Sequence, residues 1–212
     1  MKLDILAFAA HRDDIEITIG GTLIKMVDLG YKVGVVDFSQ GEMGSRGNAQ
    51  TRASEAEEAT RIMKLSIREN LQMPDAKIEV SYENRLKIAQ VIRKYKPRVV
   101  ISPFFDKRHP DHQNAHYLVP QACFLAGLKK LDIDGEPHRP FKIVYSMSYS
   151  DTTQPSFIVD ISEQMERKLS AIQCYRSQFD EDLPEESSVL IKFEELKQSL
   201  YTKNGYYGAL IF

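Results

Sequence analysis

The stretch whose reading decides the fold is AFAAHRDDIEITIGG, residues 7–21. An apolar run stops, and a histidine, an arginine and two adjacent aspartates follow before apolar residues resume. Residues 3–10 are short, apolar and bounded by polar positions, which predicts a buried strand. Residues 17–29 have helical spacing, with Gly30 placed to stop them. A buried strand that turns into a helix through four strongly polar side chains is an α/β unit, and such units collect ligands beyond the carboxyl ends of their strands.

The same alternation continues outward. Residues 33–38 predict a second buried strand, and residues 39–50, with Gly41, Gly44 and Gly47, a loop. Helices are expected over 51–64 and 82–95, the latter ended by Pro97. A strand at 98–102, a loop at 103–111 and a helix at 113–131, with Pro120 as a kink, come next. Later strands are expected at 143–148 and 157–161, and helices at 162–176 and 188–203. The fold class is therefore α/β, a Rossmann-like three-layer arrangement of a mostly parallel sheet with helices on both faces. Three polar loops then fall on one sheet edge: the one at His11 to Asp14, the glycine loop, and the one holding His109, Asp111 and His112.

Composition narrows the function classes. The 212 residues, 42% hydrophobic, support one core, so a single domain over 1–212 is expected. With 28 basic and 30 acidic residues the net charge is −2, which provides no field for nucleic acid or an anionic membrane. No apolar run reaches about 18 residues, and the N-terminal run leads into aspartates rather than a cleavage site. Cys123 and Cys174 have apolar or aromatic neighbours and read as buried thiols. The expectation is a soluble cytoplasmic protein acting on a small molecule. Its apolar last residues, ALIF, hint at an interface and a homo-oligomer.

His11 and Asp14, three apart across a strand-to-helix turn, can point at one spot, and imidazole and carboxylate are ordinary zinc ligands. Asp13 must point elsewhere; if Asp14 binds a metal, Asp13 is free to accept a proton. Helix capping by the aspartates is the competing explanation. In RHPDH, residues 108–112, Pro110 keeps His109 and His112 from pointing alike. One histidine can reach a metal while the other stands beside the substrate, and Asp111 can fix a histidine tautomer. A rival set, His109, His112 and His116, uses the spacing of two histidines four apart, but it leaves the first motif unexplained. His116 is otherwise a packing residue and His138 a loop residue. The three glycines of the second loop match neither GxGxxG nor GxxxxGK[ST], which argues against a nucleotide site.

AHRDDIE followed by RHPDH resembles the LmbE/PIG-L family of zinc-dependent N-acetylglucosaminyl deacetylases. GYKVGVVDFSQGEMGSRG, TRASEAEEA, RENLQMPD, IRKYKPRVVISPFFDKRHPDH and YRSQF extend the similarity through most of the chain. Within the family the pattern is most similar to the bacillithiol-biosynthesis deacetylases, which act on N-acetylglucosaminyl malate. A chito-oligosaccharide, free N-acetylglucosamine or another N-acylated sugar is the alternative substrate, and a non-catalytic sugar- or metal-binding protein the alternative class. The family motif usually reads AHPDDE, so Arg12 stands where proline is common. The resemblance implies that His11, Asp14 and His112 bind Zn²⁺, with Fe²⁺ or another divalent ion as substitutes. It implies that Asp13 is the general base and that His109, held by Asp111, stabilises the oxyanion or protonates the amine. Arg52 is implied near substrate, and Arg46 is a weaker candidate for an anionic group such as malate. Family members usually continue beyond a segment like YYGALIF, so a shortened C-terminus is expected.

Overall fold

The computed structural model describes residues 1–147, 153–179 and 192–211. Its five strands are β1 (Ile5–Ala9), β2 (Val33–Ser39), β3 (Ile67–Met73), β4 (Val99–Ser102) and β5 (Lys142–Tyr145). They form one sheet in the order β3-β2-β1-β4-β5, every pairing parallel. Eight α-helices accompany them among the described residues: α1 (Asp14–Thr18), α2 (Gly20–Asp28), α3 (Ala49–Met63), α4 (Tyr82–Tyr95), α5 (Pro110–Ala126), α6 (Met165–Gln173), α7 (Arg176–Phe179) and α8 (Phe193–Gly208). The expected three-layer α/β architecture is the observed one.

The layers follow from strand alternation. In β1, Ala7 and Ala9 face one side, and Leu6, Phe8 and the following Ala10 the other. The first face packs on α1, α2, α3, α6 and α8 through Ile15, Leu23, Met63, Leu169 and Leu196. The second packs on α4 and α5 through Ile88, Ile92, Leu118 and Ala122. A strand covered on both sides must be largely apolar on both, which is why β1 reads as an unbroken apolar run and β2 as one interrupted only by Asp37 and Ser39 near its carboxyl end.

Several expectations change, among them the helix over 113–131, which spans Pro110–Ala126, and that over 162–176, which breaks after Gln173. The helix over 17–29 begins earlier, at Asp14, and breaks at Ile19 into α1 and α2. A Cβ at Gly21 would lie 2.5 Å from Ile161 Cδ1, so the glycine lets α2 approach Ile161 closely. That segment forms no strand; it passes over α2, where Lys25 Nζ donates to the Asp160 carbonyl at 2.5 Å. β3 was not expected at all: IRENLQM puts Ile67, Leu71 and Met73 on one face, but its other face is Arg68, Asn70 and Gln72. The ends of the expected elements at 148 and 188–191 lie outside the described residues.

The chain leaves β1 towards β2 on one side and reaches β4 on the other. The loops after β1 and β4 therefore separate at the central strand pair, the switch point at which a doubly wound sheet opens a crevice. Gly34 in β2 maintains the packing below it, since a Cβ there would sit 2.6 Å from Leu3 Cδ1 and 2.8 Å from Ile67 Cγ1. Gly34→Val should overpack this contact and lower stability by about 1–3 kcal/mol, read as a reduced urea midpoint with an unchanged slope.

Candidate functional site

The opening motif folds tightly against itself. The His11 amide donates to Asp14 Oδ2 at 2.9 Å. Asp13 occupies the N-cap position of α1 without a side-chain cap, so capping does not account for its carboxylate. Instead Asp13 Oδ1 accepts from Arg52 Nη2 at 3.0 Å. Arg52 comes from α3, is 5% exposed, and also donates from Nη1 to the Gly41 carbonyl at 3.3 Å. Gly41 has φ of +72°, and a Cβ there would lie 2.0 Å from Arg52 Nη1, so the glycine makes room for the guanidinium. Burial alone would depress the Arg52 pKa; Asp13, Asp14 and Asp75 outweigh it and raise it.

Opposite, Pro110 starts α5 and His109 caps it: His109 Nδ1 accepts the Asp111 amide at 3.2 Å. One turn in, His112 turns inward. His112 Nε2 lies 3.1 Å from Asp14 Oδ1 and 3.2 Å from His11 Nδ1, and His11 Nδ1 is 3.6 Å from Asp14 Oδ2. Ligand atoms of His11, Asp14 and His112 all lie within 4.8 Å of one another. Two imidazole nitrogens facing each other at hydrogen-bond distance would repel lone pair to lone pair unless one carries a proton or a cation sits between them. Two imidazoles and a carboxylate are a donor set suited to Zn²⁺ and its neighbours, so the residues fit a divalent ion.

The outer edge of His11 is held as firmly. His11 Nε2 is 3.1 Å from Asp75 Oδ1 and 3.5 Å from Asp111 Oδ2. Burial would lower the pKa of His11, but Asp111, Asp14 and Asp75 reverse this and raise it well above the ordinary histidine value. Asp111 is 1% exposed; its Oδ1 accepts the Ile78 amide at 3.1 Å, while Oδ2 has no hydrogen-bond partner. The Asp111 carboxylate faces His11, and a nitrogen of His109 lies within 4.8 Å of both, so the two histidines share its neighbourhood. The His109 ring stands edge-on to His11, centroids 4.8 Å apart. Burial, then the like charges of His11 and His112, push its pKa down.

Beneath the motif lies a charge cluster absent from the sequence expectations. Arg68 of β3 grips Asp37 with Nε and Nη2, at 2.8 and 3.0 Å, and Glu16 with Nη1 at 2.6 Å. Arg68 Nη2 and the Tyr175 hydroxyl both donate to the Arg12 carbonyl. The Tyr175 hydroxyl oxygen also lies 3.2 Å from Glu16 Oε1. Only the backbone of Arg12 is used, so a residue other than proline at this position leaves the clamp intact. Asp75 and Tyr175 stood in segments noted for their similarity, but no spacing rule ties them to His11.

The remaining candidates lie elsewhere. Arg46 is half-buried in the glycine loop, its carbonyl accepting from Gln178 Nε2 at 2.9 Å. His116 Nδ1 is 3.1 Å from the Pro103 carbonyl, with its ring among Phe105, Tyr117 and Tyr145. Among the described residues, neither potential metal-ligand set includes it. His138 Nε2 rests 2.7 Å from the Pro97 carbonyl in a loop. Both cysteines are free and buried. Among the described residues no helix is long and apolar enough to cross a membrane.

Comparison with known proteins places this geometry in context. The PIG-L family model, described as GlcNAc-PI de-N-acetylase, matches residues 6–123. The diacetylchitobiose deacetylase of Thermococcus kodakarensis is 32% identical over 194 residues, covering 84% of this chain and 71% of the relative. Among solved structures, a conserved protein of Thermus thermophilus superposes with a TM-score of 0.89 at 36% identity, covering 99% of this chain and 90% of that one. The N,N'-diacetylchitobiose deacetylase of Pyrococcus horikoshii, complexed with an inhibitor, gives 0.84 at 29% identity, covering 98% and 79%.

Removing Arg68 should leave Glu16 without its ion-pair partner and Asp37 with only the more distant charge of Arg12. Arg68→Met is expected to lose about 3–5 kcal/mol of stability, and Tyr175→Phe about 1–3 kcal/mol, both measurable by chemical denaturation. Equal stability of Arg68→Met and wild type would show that the cluster does not hold the motif.

Proposed function

The chain belongs to the PIG-L family, and on that premise we propose that it removes the acetyl group from an N-acetylated amino sugar by hydrolysis, with a divalent cation held by His11, Asp14 and His112. The observation that carries the reading is the convergence of those three side chains across about a hundred residues of sequence, with Asp13 beside them. Zn²⁺, or Fe²⁺ or another divalent ion, would there polarise the acetyl carbonyl and make a water acidic enough to attack at neutral pH.

The chain's own groups move the protons. Arg52 occupies Asp13 Oδ1 and fixes its direction, which leaves Oδ2 to accept the proton from the attacking water. Hydroxide adds to the carbonyl carbon, and negative charge gathers on the former carbonyl oxygen. His109 accepts a backbone amide at Nδ1, so its ring carries a single proton, on Nε2. From Nε2 it donates to that oxygen, an interaction worth roughly 3–4 kcal/mol when such a donor is lost. A singly protonated imidazole is a poor acid, so Asp13 returns its proton to the nitrogen. The C–N bond breaks, giving acetate and the free amine. Asp75 acts through His11: it holds Nε2, with Asp111 close by, and so keeps Nδ1 turned toward Asp14 and His112, where it would be a ligand.

Two substrates are favoured by different observations. The relatives above favour diacetylchitobiose; the motif pattern favours N-acetylglucosaminyl malate, with Arg46 as a candidate for the malate carboxylates. The N-acetylglucosamine unit is common to both.

Amine release from diacetylchitobiose, N-acetylglucosaminyl malate and free N-acetylglucosamine, paired with elemental analysis, tests the reading. Release from at least one compound, abolished by chelation and restored by Zn²⁺, is expected. A zinc-replete protein that releases amine from none of them would instead be a binding protein. Asp13→Ala should keep its metal and lose most turnover, whereas His112→Ala should lose the metal too; an unchanged rate in Asp13→Ala would refute the base assignment.

A further inference from the structure

Arg12 stands between His11 and Asp13 and is only 8% exposed. Its carbonyl is clamped by Arg68 and Tyr175, but its side chain is not. Nε has no hydrogen-bond partner, and among the described residues the guanidinium makes no ion pair. The carboxylate whose charge acts most strongly on it is Asp37, and both Asp37 oxygens already accept from Arg68, at 2.8 and 3.0 Å. The like charges of Arg68 and Arg52 act against it. Arg52 is itself 5% exposed; Asp13 and the Gly41 carbonyl take its Nη2 and Nη1, and its Nε has no partner either. A buried guanidinium without its own counter-ion is costly, and a second one within reach of its charge adds to the cost. A bound anion removes that cost.

We propose that the Arg12 guanidinium anchors an anion site beside the catalytic motif, and that its ligand is a small carboxylate. A planar carboxylate matches the guanidinium fork with two parallel bonds. With Asp37 close by, a group of one negative charge is repelled less than a phosphate dianion. Proline, common at this position in the family, offers no donor, so family membership does not supply this site. The choice between two carboxylate sources rests on the deacetylase reading above: the acetate that hydrolysis releases, or an acid group on the aglycone of the sugar.

Calorimetric titration of the zinc-loaded protein with sodium acetate and with sodium L-malate, at constant ionic strength, tests the site. Arg12→Met retains the clamped carbonyl and most of the side chain's length but loses the charge. At least one anion should bind wild type, and bind Arg12→Met about tenfold or more weakly, the loss expected for one charged hydrogen bond. Arg12→Pro is a second variant should Arg12→Met not fold, and the same loss is expected of it. Wild type that binds neither anion overturns the proposal, as does a smaller loss for both anions, which would place them on the metal or elsewhere. A fall in kcat with both dissociation constants unmoved also overturns it, since that marks a structural role. Turnover separates the sources. Acetate as the ligand raises its inhibition constant in the variant; an aglycone acid raises the KM for N-acetylglucosaminyl malate relative to that for diacetylchitobiose. Either result supports the site. Failure of the deacetylase reading looks different: no amine from any acylated sugar, while the calorimetric difference between wild type and variant persists.

Discussion

The site depends on one backbone oxygen. The Arg12 carbonyl receives donors from Arg68 and Tyr175, two side chains that arrive from an edge strand and from the segment after α6. On either side of that carbonyl stand His11 and Asp13, which must point in different directions. Clamping the peptide between them sets both directions at once. The clamp is itself stabilised because Arg68 is buried with two carboxylates, Glu16 and Asp37, and a buried guanidinium without such partners would be very costly. The same charges raise the Arg68 pKa against the opposing effect of burial. A fork of five donors in fixed geometry suits this junction, where a lysine would supply only a point charge.

A division of labour among four nearby aspartates follows from what each one faces. Asp14 faces both inward imidazole nitrogens, Asp13 faces Arg52, and Asp75 and Asp111 face the outer nitrogen of His11. Four carboxylates gathered this closely would repel one another if all pointed inward. Here each has a cationic or N–H neighbour, and His11 lies among three of them. His112, from the distant β4–α5 loop, completes the inner group, and burial, Asp14 and His11 compete over its charge, with Asp14 prevailing to raise its pKa.

Much of the framework was legible in the chain itself. β1, β2 and β4 are largely apolar on both faces because helices cover both, with Asp37, Ser39 and Ser102 confined to the carboxyl ends, so their runs stand out against polar loops. α4 begins at Tyr82 and ends at Tyr95 as its spacing and Pro97 predict. β3 was not legible, because one face of IRENLQM carries polar side chains that serve the site rather than the core. Phe157 to Ile161 misled in the opposite way: Ile161 packs on α2 and Phe157 is exposed, and the segment pairs to no strand. Asp75 and Tyr175 could not be found from spacing, since their partners lie 64 and 163 residues away.

The order of the residues determined an α/β sheet, its central strands, and two polar motifs at strand ends that resembled a deacetylase family. Those features are local: periodicity, turn residues and side-chain type are all read within a few neighbours. Only the tertiary structure decided that Asp111 lies against His11, that Arg52 rests on Asp13, and that a small pocket opens beside Asp14 and His112. A side chain's direction depends on which distant groups share its space, and that is set by how the sheet is ordered and how its helices pack.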